Sequence, residues 1–207
     1  WNNLDQVYKA NNPYSYPTRL PILMSTEIGI RDLNTWPYTQ EYMINFIERG
    51  SQGFAVYSFA NMATQEGLIN EYGDKYEKFM AMVAQNEDVI WHGLPGTGEN
   101  ISITATYGGG KISCLHEGNN ATLGILHFPD GLNDETEEKK TDIPVEIMVK
   151  ETGDYIIDTY KDGILTSSHN TNMIASEGKM FFLSISNKEA AFIKVRKYES
   201  KQEGAIR

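Results

Sequence analysis

Apolar and polar positions follow two different rhythms along the chain, and the change falls near residue 90. In the first half, short apolar runs alternate with helical stripes. Pro21 to Thr26 (PILMST) and Gly53 to Phe59 (GFAVYSF) are brief, apolar and bounded by turn formers, which predicts buried strands. Between them, Tyr42, Met43, Phe46 and Ile47 share one helical face. Pro37 suits the start of that helix and Gly50 its stop. Tyr72, Tyr76, Phe79, Met80 and Val83 then recur at the spacing of a second amphipathic helix. Strand, helix, strand, helix with short joints predicts parallel strands with crossover helices.

Beyond residue 95 the rhythm becomes two. Ile101, Ile103 and Ala105 alternate with Ser102 and Thr104, Val145, Ile147 and Val149 with Glu146, Met148 and Lys150, and Ile193 and Val195 with Lys194 and Arg196. Such alternation predicts antiparallel sheets with one wet face. Turn signals separate the runs at Gly108-Gly109-Gly110, Gly118-Asn119-Asn120, Asp162-Gly163 and Glu177-Gly178, with Asp162-Gly163 a strong hairpin signal. The acidic stretch from Asp130 to Asp142 reads as a solvated loop, and the polar residues after Tyr198 as a fraying tail. The expected fold class is α/β followed by all-β: the last βα units of a (β/α)8 TIM barrel over residues 1–92, then a C-terminal antiparallel β-sandwich over 93–207. Two βα units fall short of the roughly 200 residues a complete barrel needs. With a chain that begins at Trp1 rather than Met, this leads us to expect an upstream barrel segment or a partner chain.

Composition adds exclusions. Among 207 residues, 28 acidic against 18 basic side chains give a net charge of −10, which offers no basic excess for nucleic acid. No apolar run reaches the roughly 20 residues of a membrane span. The single cysteine, Cys114, cannot form an internal bridge and alternates with Ile112 as a core residue. His92, His116, His127 and His169 show no metal-ligand spacing, and no phosphate-cradling or nucleotide fingerprint occurs, so neither metal nor cofactor is expected.

The first apolar run leads into Ser25-Thr26-Glu27-Ile28-Gly29, the second into Val56-Tyr57-Ser58-Phe59. Here the sequence resembles the clan-A-like retaining glycoside hydrolases with a (β/α)8 barrel. These carry a nucleophilic Glu in a Thr-Glu-hydrophobe-Gly setting at one strand end, a Gly-led aromatic strand next, and often a β-sandwich afterwards. The resemblance covers residues 1–88 and the general architecture of 98–198. It implies that Glu27 is the nucleophile and that a poly- or oligosaccharide is the substrate. Glycoside hydrolysis needs a second carboxyl group as acid/base. In that family it belongs to an Asn-Glu pair, which no strand here presents, so the resemblance places it outside this chain. Candidate substrate contacts are Trp36, Tyr57, Phe59 and Glu66, because sugar rings stack on aromatic faces and hydrogen-bond at their rims. Each has a bland counterpart: helix packing for Trp36, core packing for Tyr57 and Phe59, a solvated loop for Glu66. Trp91 reads as packing at the seam between the halves. Acidity and polar strands suit an extracytoplasmic or secreted protein. The alternative is a non-catalytic carbohydrate-binding or interaction sandwich, for which Tyr155, Tyr160 and Phe192 are the platform candidates.

Overall fold

The computed structural model describes residues 23–26, 36–48, 53–56, 69–105, 111–128, 140–186 and 189–198. The glycine triplet at 108–110, most of the acidic stretch and the tail after Tyr198 lie outside them. The strands β1 (Leu23–Thr26) and β2 (Gly53–Val56) pair in parallel, with helix α1 (Trp36–Glu48) between them in sequence. Helix α2 (Glu71–Gln85) begins where Asn70 accepts a hydrogen bond from the Gly73 amide at 2.9 Å, with Glu71 and Asp74 favourably placed in its first turn. It ends at Asn86, whose side-chain amide donates to the Met82 carbonyl at 2.8 Å, and the short α3 (Glu87–His92) follows at once.

The remaining strands form two antiparallel sheets. Six of them lie in the order β3 (Leu94–Pro95), β5 (Lys111–Glu117), β6 (Ala121–His127), β11 (Ala191–Lys197), β8 (Gly153–Lys161), β9 (Ile164–Met173). Three more lie in the order β10 (Lys179–Ser186), β7 (Lys140–Val149), β4 (Ile101–Ala105). The β8–β9 turn uses positive φ at both Asp162 (53°) and Gly163 (82°), the backbone a two-residue hairpin demands. Lys140, Thr141 and Asp142, expected in a loop, instead open β7.

The expected fold class is corrected by this arrangement. The described residues do not build the closing βα units of a TIM barrel with a sandwich appended. Among the described residues only β1 and β2 run parallel, as a pair, and every other strand pairing is antiparallel. The helices instead cover the six-stranded antiparallel sheet. The physical reason is that an amphipathic stripe states that a helix has a buried face, not which sheet buries it. Tyr72, Phe79 and Met82 of α2 join Met43, Ile44 and Ile47 of α1 and Val89 and Ile90 of α3 over Leu115, Leu123, Ile125 and Phe192. The opposite face of the same sheet, with Cys114, Leu126, Ile157, Ile193 and Val195, packs on Ile103, Val145, Ile147 and Ile185 of the smaller sheet.

The six-stranded sheet is thus the middle of three layers, and β6 is buried along its whole length. The alternation in β11 therefore does not mark a wet face: Lys194 is only 6% exposed, because its side lies under α3. Gly124 marks a tight approach between layers, since a Cβ there would meet Ile112 Cδ1 at 2.9 Å and Ile193 Cγ2 at 3.1 Å. Cys114 is buried as expected, its thiol donating to the Ile103 carbonyl at 3.7 Å, and burial, with the Glu48 carboxylate adding, pushes it up to about 12.

An aromatic chain joins helices to sheet. Trp36 meets Tyr72 edge-on at 5.3 Å and Phe79 at 6.4 Å, and Phe79 meets Phe192 of β11 at 5.7 Å. At the far end of this interface His127 is buried, its Nε2 3.5 Å from Ser113 Oγ, with Lys111 bound to Glu48 of α1 at 3.0 Å beside it. Burial, aided by Lys111, pulls the His127 imidazole down to about 4.

Phe79→Ala is expected to cost about 3–5 kcal/mol of unfolding free energy in urea titrations. Ile164→Ala, at an exposed position, should change it by less than about 0.5 kcal/mol. Neutral His127 sets a pH dependence. Above the unfolded value of 6.5 its contribution is complete. As pH falls from there the unfolded chain takes up a proton the fold refuses, and the contribution is gone near pH 4. The loss is about 3 kcal/mol. Denaturation curves of His127→Gln should lack one proton of uptake in that window, and a wild-type slope in this variant would contradict the assignment.

Candidate functional site

The parallel pair places two chain exits side by side. Leu23 lies opposite Gly53 and Thr26 opposite Val56, so β1 and β2 finish at the same end. The residues that follow in sequence are Glu27 and Tyr57. Glu27, Tyr57, Phe59 and Glu66 themselves lie outside the described residues. Of the sequence candidates only Trp36 is described.

Trp36 opens α1 and is 3% exposed. Its indole is held edge-on by Tyr72 and Phe79. The Tyr72 hydroxyl donates to Thr39 Oγ1 at 2.5 Å, and burial pushes that phenol up to about 12 despite the hydrogen bond. The ring also borders a narrow cleft of about 80 Å³, shared with Gln40, Phe79 and Met82 and rimmed by Lys75, Lys78, Asp162 and Glu189. Trp36 therefore serves as a packing residue with one border on a small polar-rimmed space.

The platform residues proposed for a binding sandwich are interior. Tyr155 and Phe192 are fully buried and Tyr160 nearly so. Trp91, expected to pack at the seam, lies on α3 and is half exposed. Two charged groups escape notice in the sequence because period-two alternation hides them. Lys194 Nζ donates to both carboxylate oxygens of Asp88, at 2.7 and 2.5 Å, tying β11 to α3. Asp158, buried on neighbouring β8, accepts from Ser168 Oγ at 2.5 Å and from the Arg196 guanidinium at 3.4 Å. No sequence signal finds these pairs, since their partners lie 106 and 38 residues apart.

Ser113 and His127 have the residue types of a nucleophile and its base, but both are interior. Their 3.5 Å contact links neighbouring strands β5 and β6 in the interior. Among the described residues no three His, Cys, Asp or Glu side chains gather as metal ligands. No helix there is long and apolar enough to cross a membrane.

No protein-family profile and no curated protein sequence matches the chain. Among solved structures it is similar to a GH30 endoxylanase from Clostridium papyrosolvens C71, with 11% identity over 84% of this chain and 41% of that one and a TM-score of 0.45. It is similar to a GH39 enzyme from Xanthomonas axonopodis pv. citri, with 8% identity over 95% and 48% and a TM-score of 0.48. It is also similar to a glucosidase from Croceicoccus marinus, with 10% identity over 96% and 50% and a TM-score of 0.46. The chain spans half or less of the length of each of these glycoside hydrolase chains.

Proposed function

We propose that this chain is part of a retaining glycoside hydrolase in which Glu27 is the nucleophile. The observation that carries the reading is the register of β1 and β2. Parallel strands gather ligand-binding residues at their carboxyl ends, and here the two strands end level, at Thr26 and Val56, directly before Glu27 and Tyr57. The Thr26-Glu27-Ile28-Gly29 motif supports it from the sequence side.

The chemistry follows from the residue type. A carboxylate beneath the anomeric carbon attacks as the glycosidic bond breaks, giving a covalent glycosyl ester. A second carboxyl group protonates the leaving oxygen and then activates water. That second group is supplied from outside these 207 residues, by a preceding segment or a partner chain. Tyr57, Phe59 and Glu66 contact the sugar in this scheme. Trp36, packed on Tyr72 and Phe79, serves as a packing residue in this scheme. A polysaccharide substrate accords with the extracytoplasmic location expected from the sequence.

Glu27→Gln in the full-length protein should lower turnover roughly a thousandfold or more while leaving the thermal midpoint unchanged. Glu27→Ala should regain activity with azide and yield a glycosyl azide of inverted anomeric configuration. Wild-type turnover in Glu27→Gln would overturn the assignment.

A further inference from the structure

Strand β10 is one edge of the three-stranded sheet. Phe181, Leu183 and Ile185 face the core between the sheets, so Met180, Phe182 and Ser184 face outward. Phe182 is 71% exposed, more than any other large apolar side chain among the described residues, and Met180 is 53% exposed. Their backbone groups also point to the open side. Phe182 lies opposite Pro144 of β7, and proline has no N–H to exchange, so this is the non-bonded kind of antiparallel pair. The N–H and C=O of Phe182 therefore point away from β7, and by alternation so do those of Met180 and Ser184. The Ser184 carbonyl agrees, since it accepts from Lys161 Nζ of the other sheet at 3.3 Å. Among the described residues no strand pairs with this side of β10. Soluble proteins guard such edges with proline, bulges or charges. The register of β10 on β7 runs unbroken from Lys179 to Ser186, and the one charge on β10 is Lys179 at its start.

We propose that β10 is a self-association edge, on which a second copy of this chain pairs antiparallel through its own β10. Period-two geometry restricts the register, because outward residues must meet outward residues. Centring the two-fold axis on Phe182 sets Phe182 against Phe182 of the second copy and Met180 against its Ser184, with about six backbone hydrogen bonds exchanged. A carbonyl has two lone pairs, so Ser184 accepts from the second copy while keeping Lys161. On the inner side Phe181 meets the second copy's Leu183, and the core between the sheets continues across the axis. Centring on Leu183 would set Phe182 against serine and draw in Ser186, whose carbonyl already accepts from the Glu189 amide at 3.2 Å. Charge permits a like partner. The outward row of β10 carries none, and in the Phe182-centred register Lys179 meets Ile185 of the second copy. Around the edge Lys161 and Lys179 stand among Asp142, Glu146, Glu177 and Glu189, and no two like charges are set directly opposite. The paired edge is about 27 Å long, and the sandwich is about 20 Å thick with its outer side chains. Together the two copies bury roughly 1,000 Å², the lower limit for a specific interface, which implies a micromolar dimer rather than a permanent one. None of these residues belongs to the proposed hydrolytic set, so the edge stands or falls separately from Glu27.

The test is sedimentation equilibrium of the full chain from micromolar to millimolar concentration. The mass should rise from 23.4 kDa toward twice that value. Because each copy carries a net charge of −10, added salt should tighten the association rather than weaken it. Phe182→Lys and Phe182→Glu each set like charges face to face and should weaken it more than about tenfold. Thermal midpoints of dilute samples should not change, because the side chain is exposed. Mixing the two variants should restore a dimer containing one of each, as the Phe182-centred register requires. A chain that stays at 23.4 kDa throughout overturns the proposal, as does a mixture that associates no better than either variant alone. A monomer whose midpoint falls in Phe182→Lys overturns it too, and assigns the edge to another segment of the same polypeptide.

Discussion

The edge-on contact between Phe79 and Phe192 holds the helical layer to the sheet, and the remaining layers are organised around it. Phe192 stands on β11, whose next residue, Ile193, points into the opposite core. A single strand therefore carries the packing of both interiors. Trp36 and Tyr72 extend the contact outward through α1 and α2, so that three ring pairs link helix to helix and helix to strand. Each such pair adds about 0.5–1.5 kcal/mol to what burial alone supplies.

Polar groups flank this apolar centre on two sides and fix where the helices sit. At one end are Lys111 with Glu48, and His127 with Ser113. At the other, Lys194 holds Asp88. Apolar packing is nondirectional and tolerates sliding, whereas a buried ammonium that leaves its carboxylate is heavily penalised. The two polar ends thus keep the helices in register over the sheet.

The local elements were legible in the sequence. The stripe from Tyr72 to Val83 is α2, and Asp162-Gly163 makes the β8–β9 hairpin. Their assembly was not, because strand–helix–strand–helix order reads alike whether helices cross between parallel strands or lie on a separate antiparallel sheet. Alternation misled for the same reason. It identifies two faces but not whether both are covered: Lys194 alternates as a wet-face residue would, and Tyr155 and Tyr160 as surface aromatics would, yet all three are buried. Of the candidate site, the strand leading to Glu27 was legible to its last residue, while the second was read through Phe59, whose positions 57–59 lie outside the described residues. The pairing of Asp88 with Lys194 and of Asp158 with Arg196 depends on contacts too distant along the chain to leave a pattern.

The single thiol, Cys114, sits between the two sheets, its proton engaged by the Ile103 carbonyl and its ionisation suppressed by burial. Alkylating reagents consume thiolate, so this atom stays inert until the sheets part. The chain thereby carries an internal stopwatch: the pace at which iodoacetamide labels Cys114 clocks the opening of the inter-sheet core, with no engineered probe required.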